Sequence, residues 1–225
     1  MLRRAAVACL ALAVAACSGL RPAPPAAPLP AVRPAGALAV DPAGTEVRVL
    51  VYRAGALASL GHNHVITASS LAGRIDSLPG GEYQFDLVLP VAAFVVDPAG
   101  ARAEEGPDFA APVADDARAG TRGNLLGERV LDAGVFPDIR LAGQTRSGPA
   151  GTRLLQLAVT LRGTTREFVV PVTLEAGGGG GVLRGELPLA HADLGLTPFS
   201  VMGGMIAVRD DLLVRFRVAV VPSAG

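Results

Sequence analysis

The sequence contains no lysine: all 20 of its basic residues are arginine, set against 20 Asp and Glu. That balance leaves no cationic excess for a polyanion and excludes nucleic-acid binding driven by charge. Tryptophan is absent as well, and aromatic residues make up only 4% of the chain. Cysteine occurs twice, at positions 9 and 17. The 28 glycines show no three-residue period, which excludes a collagen-like rod. Half of the residues are hydrophobic, too many for a disordered chain. What is present in quantity is Gly and Pro scattered between β-forming residues, a composition that predicts short strands and tight turns.

The N-terminus has the layout of an export signal. Arg3 and Arg4 precede the short apolar run 5–16, and small residues lead to Cys17. The run is too short to span a bilayer comfortably. The string Leu12-Ala13-Val14-Ala15-Ala16-Cys17 resembles a bacterial lipobox, which implies that Cys17 is lipidated and becomes the first residue of the mature chain. Several acyl chains give durable anchoring, since each buried CH₂ contributes about 0.8 kcal/mol. Ser18 after the cysteine implies the outer rather than the inner membrane, by resemblance to Gram-negative lipoproteins. An ordinary secretory signal with an incidental cysteine is the alternative. With Cys9 lost and Cys17 acylated, no disulfide can form despite an oxidising compartment. Removing Arg3 and Arg4 leaves 18 Arg against 20 acids, a formal charge of −2. Residues 18–40 read as a tether, with six prolines between 18 and 37. The folded domain is expected over 41–222.

From residue 45 the hydrophobic period is two. Val47, Val49 and Val51 share one face; so do Tyr83, Phe85, Leu87 and Leu89. Leu155, Leu157, Val159 and Leu161 follow the same rule, as do Phe168, Val170, Val172 and Leu174, and Val214, Phe216, Val218 and Val220. Polar residues alternate with most of them, the signature of antiparallel strands with one dry and one wet face. Residues 121–133 break the pattern and suit a short amphipathic helix through Leu125, Leu126, Arg129, Val130 and Ala133. The acid-, Gly- and Pro-rich stretch 98–119 reads as a long loop. Eight or so strands with one inserted helix fit a closed antiparallel β-barrel, because closure removes exposed edges. A flattened β-sandwich is the main alternative.

Four segments, in order, resemble the YceI-like, polyisoprenoid-binding family: DPAGTEVRVLVYRAG at 41–55, GNLLGERVLDAGVFPDIRLAG at 123–143, LAVTLRGTTREFVVPVTLE at 157–175 and HADLGLTPFSVMGGMIAVRDDLLVRFRV at 191–218. The resemblance implies an exported, lipocalin-like barrel whose apolar tunnel holds an isoprenoid chain. Such a chain is all apolar branches, and burying it yields about 25 cal/mol per Å². Val49, Val51, Phe85, Leu87, Leu157, Val159, Phe168, Val170, Phe216 and Val218 are the expected tunnel lining. The sequence departs from the family at 54–66, where AGALASLGHNHVI replaces a shorter link, and in the long 97–119 stretch.

Three histidines carry the remaining chemistry. His62 and His64 are two apart and would share a face on a strand, and His191 has the parity of Leu187 and Leu189. They are candidates for a His₃ site binding Zn²⁺ or another borderline metal, with Asp193 or Asp210 in support. They are also candidates for structural hydrogen bonds in a turn, or for contacts to the polar head of a quinone-like or phosphorylated ligand at a tunnel mouth. Phe199 and Met202, beside Gly203-Gly204, are candidates for the same mouth. Ser69, Ser70 and Ser200 lack triad spacing, and Gly177–Gly181 lacks the context of a phosphate loop.

The favoured reading is a periplasmic lipoprotein on the outer membrane that binds an isoprenoid-type lipid or similar amphiphile. It is non-catalytic and needs no cofactor. Two alternatives remain at this level: a metal-dependent module or enzyme using His62, His64 and His191, and a packed-core periplasmic interaction protein.

Overall fold

A computed structural model describes residues 36–177 and 179–223. Cys17, the signal and most of the Pro-rich segment lie outside the described residues. Eleven strands follow in order: β1 (Gly36–Ala54), β2 (His64–Ala68), β3 (Ala72–Leu78), β4 (Glu82–Pro90), β5 (Val95–Val96), β6 (Asp138–Ser147), β7 (Arg153–Leu161), β8 (Thr164–Gly177), β9 (Gly180–Ala190), β10 (Ser200–Val201) and β11 (Ile206–Pro222). Two helices, α1 (Ala99–Glu104) and α2 (Asp115–Leu126), lie between β5 and β6.

Every pairing is antiparallel. The sheet closes because β11 pairs with β1 from Leu38↔Pro222 to Ala54↔Ala207. The result is a closed barrel of eight staves. β1 is long enough to serve two partners on its other edge: β3 along Gly36–Leu38 and β2 along Val47–Val51. β2 and β3 together form one interrupted stave, and β10 and β5 are short additions at the edges. Hairpin chemistry sets the register where it is tightest. Arg162 (φ 47°) and Gly163 (φ 73°) lie between Leu161 and Thr164, which pair. Two positive φ angles give a loop whose twist matches the strands it joins.

Alternation does what the sequence implied. Val47, Val49 and Val51 face inward; Leu50, between them, faces outward but is buried. It packs with Val65, Ala101 and Phe109 in a separate cluster on the outside of the barrel. Residues 98–111 are therefore not a bare loop. α1 and the turn Pro107–Phe109 cover the outer face of β1 and β2. Burial of a side chain the size of Phe109 contributes about 1.5–3 kcal/mol.

The structure corrects three expectations. The helix expected at 121–133 starts earlier and stops at Leu126. Asp115 and Asp116 in its first turn favour the positive end of its dipole, and the chain leaves the helix at Gly127 with extended dihedrals. Val130 and Ala133 belong to the following turn, where Ala133 donates to the Leu126 carbonyl at 2.9 Å. The long loop at 98–119 is occupied by α1, the 107–109 turn and the start of α2. Finally, β1 begins at Gly36, so 36–40 belong to the barrel and not to the tether.

Candidate functional site

The barrel interior holds a cavity of about 260 Å³. Its lining comes from every stave and from the connections over one end, and all but three lining residues are aliphatic or phenylalanine. The exceptions are Tyr83, Thr145 and His191. Among the described residues no arginine, aspartate or glutamate borders it. Such a wall offers burial to an apolar molecule and no charge to an ionic one.

Of the ten positions expected to line a tunnel, Val49, Val51, Phe85, Leu87, Leu157, Val159, Phe216 and Val218 border the cavity. Phe168 and Val170 do not. They have the same inward parity, since Leu157 pairs with Phe168 and Leu155 with Val170. Here, however, Val170 is packed solid with Leu155 and Val172, and Phe168 lies against that cluster. Parity identifies the inward side and not the open space. The reading of the strands also missed Leu125, Val130 and Leu131, which close over the cavity from the α2 connection. Their apolar character was visible, but their neighbours in space were not.

The two ends of the cavity differ. At one end Tyr83 and Thr145 sit beside short hairpin turns, and the Tyr83 amide donates to Thr145 Oγ1 at 2.9 Å. At the other end Val51, Leu212 and Leu189 are neighbours in register across β1, β11 and β9. His191 follows directly, at the start of the turn His191–Leu194. It is buried, and its Nδ1 donates to the Asp210 carbonyl at 2.7 Å. The Asp193 carboxylate is turned away to cap the Ala190 amide at 2.7 Å.

The other histidines do different work. His64 opens β2. Its Nδ1 donates to Asp97 Oδ2 at 2.7 Å, and its Nε2 accepts from the Thr121 hydroxyl of α2 at 3.2 Å. The Asp97 side chain is fully buried. Its Oδ1 accepts from the Val65 amide at 2.9 Å and from Arg102 Nη1 at 2.6 Å. Arg102 also donates to the carbonyls of Asn63, Phe109 and Ala111. Burial on its own would push the Asp97 carboxyl upward. The hydrogen bonds from His64, the Val65 amide and Arg102 outweigh it and hold the group below the usual carboxylate range. Neither Asp97, His64 nor Thr121 borders the cavity. Together they pin the helical crossover to the barrel, and nothing in the sequence pattern marked Asp97, Arg102 or Thr121 for that task.

The candidate His₃ metal site is not assembled among the described residues. His62 lies in the turn before β2, its ring centroid 6.1 Å from that of His64. His64 is committed to Asp97 and Thr121, and His191 to Asp210. Among the described residues no group of three His, Cys, Asp or Glu is placed to hold a metal. Phe199 and Met202 are also displaced from the expected mouth. Neither borders the cavity; Phe199 lies under the Arg129 guanidinium at 4.9 Å, and Met202 is exposed. The 54–66 insertion folds against the same loop. Leu57 donates to the Met205 carbonyl at 2.8 Å, and Gly55 (φ 93°) is so close that a Cβ would lie 2.4 Å from that oxygen.

Comparison with known proteins gives one family and a consistent fold. The family model described as YceI-like domain matches residues 38–220. The crystal structure of BcnA from Burkholderia cenocepacia is similar with a TM-score of 0.57 and 15% identity, covering 80% of this chain and 98% of that one. The YCEI protein of Campylobacter jejuni is similar with a TM-score of 0.50 and 11% identity, covering 71% of this chain and 85% of that one. A mutant of the latter, with a TM-score of 0.50 and 11% identity over the same shares, was crystallised with a monobromobimane guest. No curated protein sequence matches.

Proposed function

The chain belongs to the YceI-like domain family, a family of binding barrels and not of catalysts, and we propose that it binds an isoprenoid-type lipid non-covalently in its interior. The observation that carries this is the lining: a hydrocarbon wall to which the described residues bring three polar side chains and no charge. A prenyl chain matches that wall because it needs burial and few directional contacts. Size narrows the ligand. An engineered cavity of about 150 Å³ takes benzene, so by proportion 260 Å³ takes about ten carbons, or two isoprene units. A longer chain requires the barrel to widen or the remainder to lie outside it.

The same reading includes export and anchoring. The signal layout and Cys17 support a lipoprotein held at a bacterial membrane, in the periplasm and on the outer membrane. The membrane would then supply both the anchor and the reservoir of ligand.

The test is organic extraction and mass spectrometry of the full chain purified from its native membrane fraction, beside titration with a ten-carbon prenol. A co-purifying prenyl lipid and saturable prenol binding support the proposal. A lipid-free protein that takes up neither prenol nor a hydrocarbon of equal length overturns it.

A further inference from the structure

We infer that the cavity selects its ligand by head group as well as by chain. His191 accepts a hydrogen bond from a neutral lipid that carries a donor, such as a prenol hydroxyl or a hydroquinone. The inference rests on the proposed lipid binding and concerns the same cavity. A neutral imidazole has one N–H and one lone pair. The Asp210 carbonyl can only accept, and it lies 2.7 Å from Nδ1, so the proton of the neutral ring is on Nδ1. Nε2 is left as an acceptor. Among the described residues it has no hydrogen-bond partner, although the residue is buried and borders the cavity.

Three head-group classes respond differently. A hydroxyl donates to Nε2 and satisfies both groups. A quinone, aldehyde or ether offers only acceptors, so it leaves two desolvated lone pairs facing each other. A phosphate or carboxylate would enter a wall that no arginine among the described residues borders. Tyr83 and Thr145 do not discriminate in this way, because a hydroxyl can donate to a carbonyl as readily as it accepts from an alcohol, and they stand at the opposite end.

The experiment compares two ligands of equal chain length, a ten-carbon prenol and the corresponding aldehyde, titrated into the full chain at about pH 8. The wild type is expected to bind the alcohol about fivefold more tightly. In His191→Phe the two affinities become equal, whereas in Tyr83→Phe the preference persists. Gln at 191 keeps a donor for Asp210 and an acceptor for the ligand, so His191→Gln retains part of the preference. Equal binding of both ligands by the wild type overturns this inference and leaves the tunnel reading standing. A preference lost in Tyr83→Phe but kept in His191→Phe also overturns it. Binding of neither ligand overturns the tunnel reading and the inference with it. Should His191→Phe not fold, the wild-type comparison and His191→Gln still decide.

Discussion

His64 Nδ1 lies 2.7 Å from Asp97 Oδ2, joining the first residue of β2 to the residue from which the helical crossover departs. Arg102 holds the other oxygen of the same carboxylate from α1 at 2.6 Å, and Thr121 reaches the same imidazole from α2. One buried acid thus gathers a strand and two helices.

Removing it leaves the Arg102 charge, the Val65 amide and the His64 ring without their acceptor. Asp97→Ala is expected to destabilise the fold by about 3 kcal/mol, the usual cost of breaking a buried pair from one side. His64→Ala is expected to cost less, since Asp97 keeps Arg102 and the Val65 amide. Urea denaturation of the two variants measures both values.

The sign of the pH dependence follows from the lowered Asp97 carboxyl. The folded chain binds this proton less tightly than the unfolded chain does. Its contribution is therefore complete above the ordinary carboxylate range, about pH 4, and is lost as pH falls below that through the folded value. Below about pH 4 the wild type should lose stability on acidification more steeply than Asp97→Asn, as read from denaturation midpoints.

Filling the cavity separates binding from folding. Val159 borders it, and Val159→Trp places an indole in the ligand's space. Prenol affinity is expected to fall by about tenfold or more, equivalent to about 1.4 kcal/mol. Thermal denaturation checks that the barrel persists, and a titration calorimeter reads the affinity.

Gly55 is a backbone requirement. Its φ of 93° and the Met205 carbonyl leave no place for a methyl group. Gly55→Ala is expected to cost about 1–3 kcal/mol and to raise amide exchange at Leu57, whose bond to Met205 is released. Gly80→Ala, with nothing within 4 Å of its Cβ, is the control for positive φ alone.

Cys17→Ser tests the proposed anchor. Loss of fatty-acid label and release from the membrane fraction are the expected outcomes. Equal label and membrane retention in the wild type and in Cys17→Ser would overturn the proposal.

The staves were legible because each carries its own period-two record. Val47-Val49-Val51 and Phe216-Val218-Val220 state which side is dry without reference to a neighbour. The strand at 36–40 was not legible: Gly-Ala-Leu-Ala-Val has no polar face, and its partners, Ser77 and Pro222, are remote in sequence. α2 was displaced because its first turns are polar, and only its end at Leu125 and Leu126 touches the core. The histidines were noticed as a set because residue type is visible in a sequence. Their separate engagements depend on Asp97, Thr121 and a backbone carbonyl, none of which a spacing rule can supply. Phe168 and Val170 show the same limit inside a correctly read strand, where packing density decides between wall and filling.

The pairing of β1 with β11 has a kinetic side. The first and last strands of the barrel are the two that close it, and Leu38 meets Pro222 only after all the strands between them have been made. Hairpins such as β7–β8 can form early, because their contacts are local. Closure must wait for β11, and until then two sheet edges and the apolar interior stay uncovered.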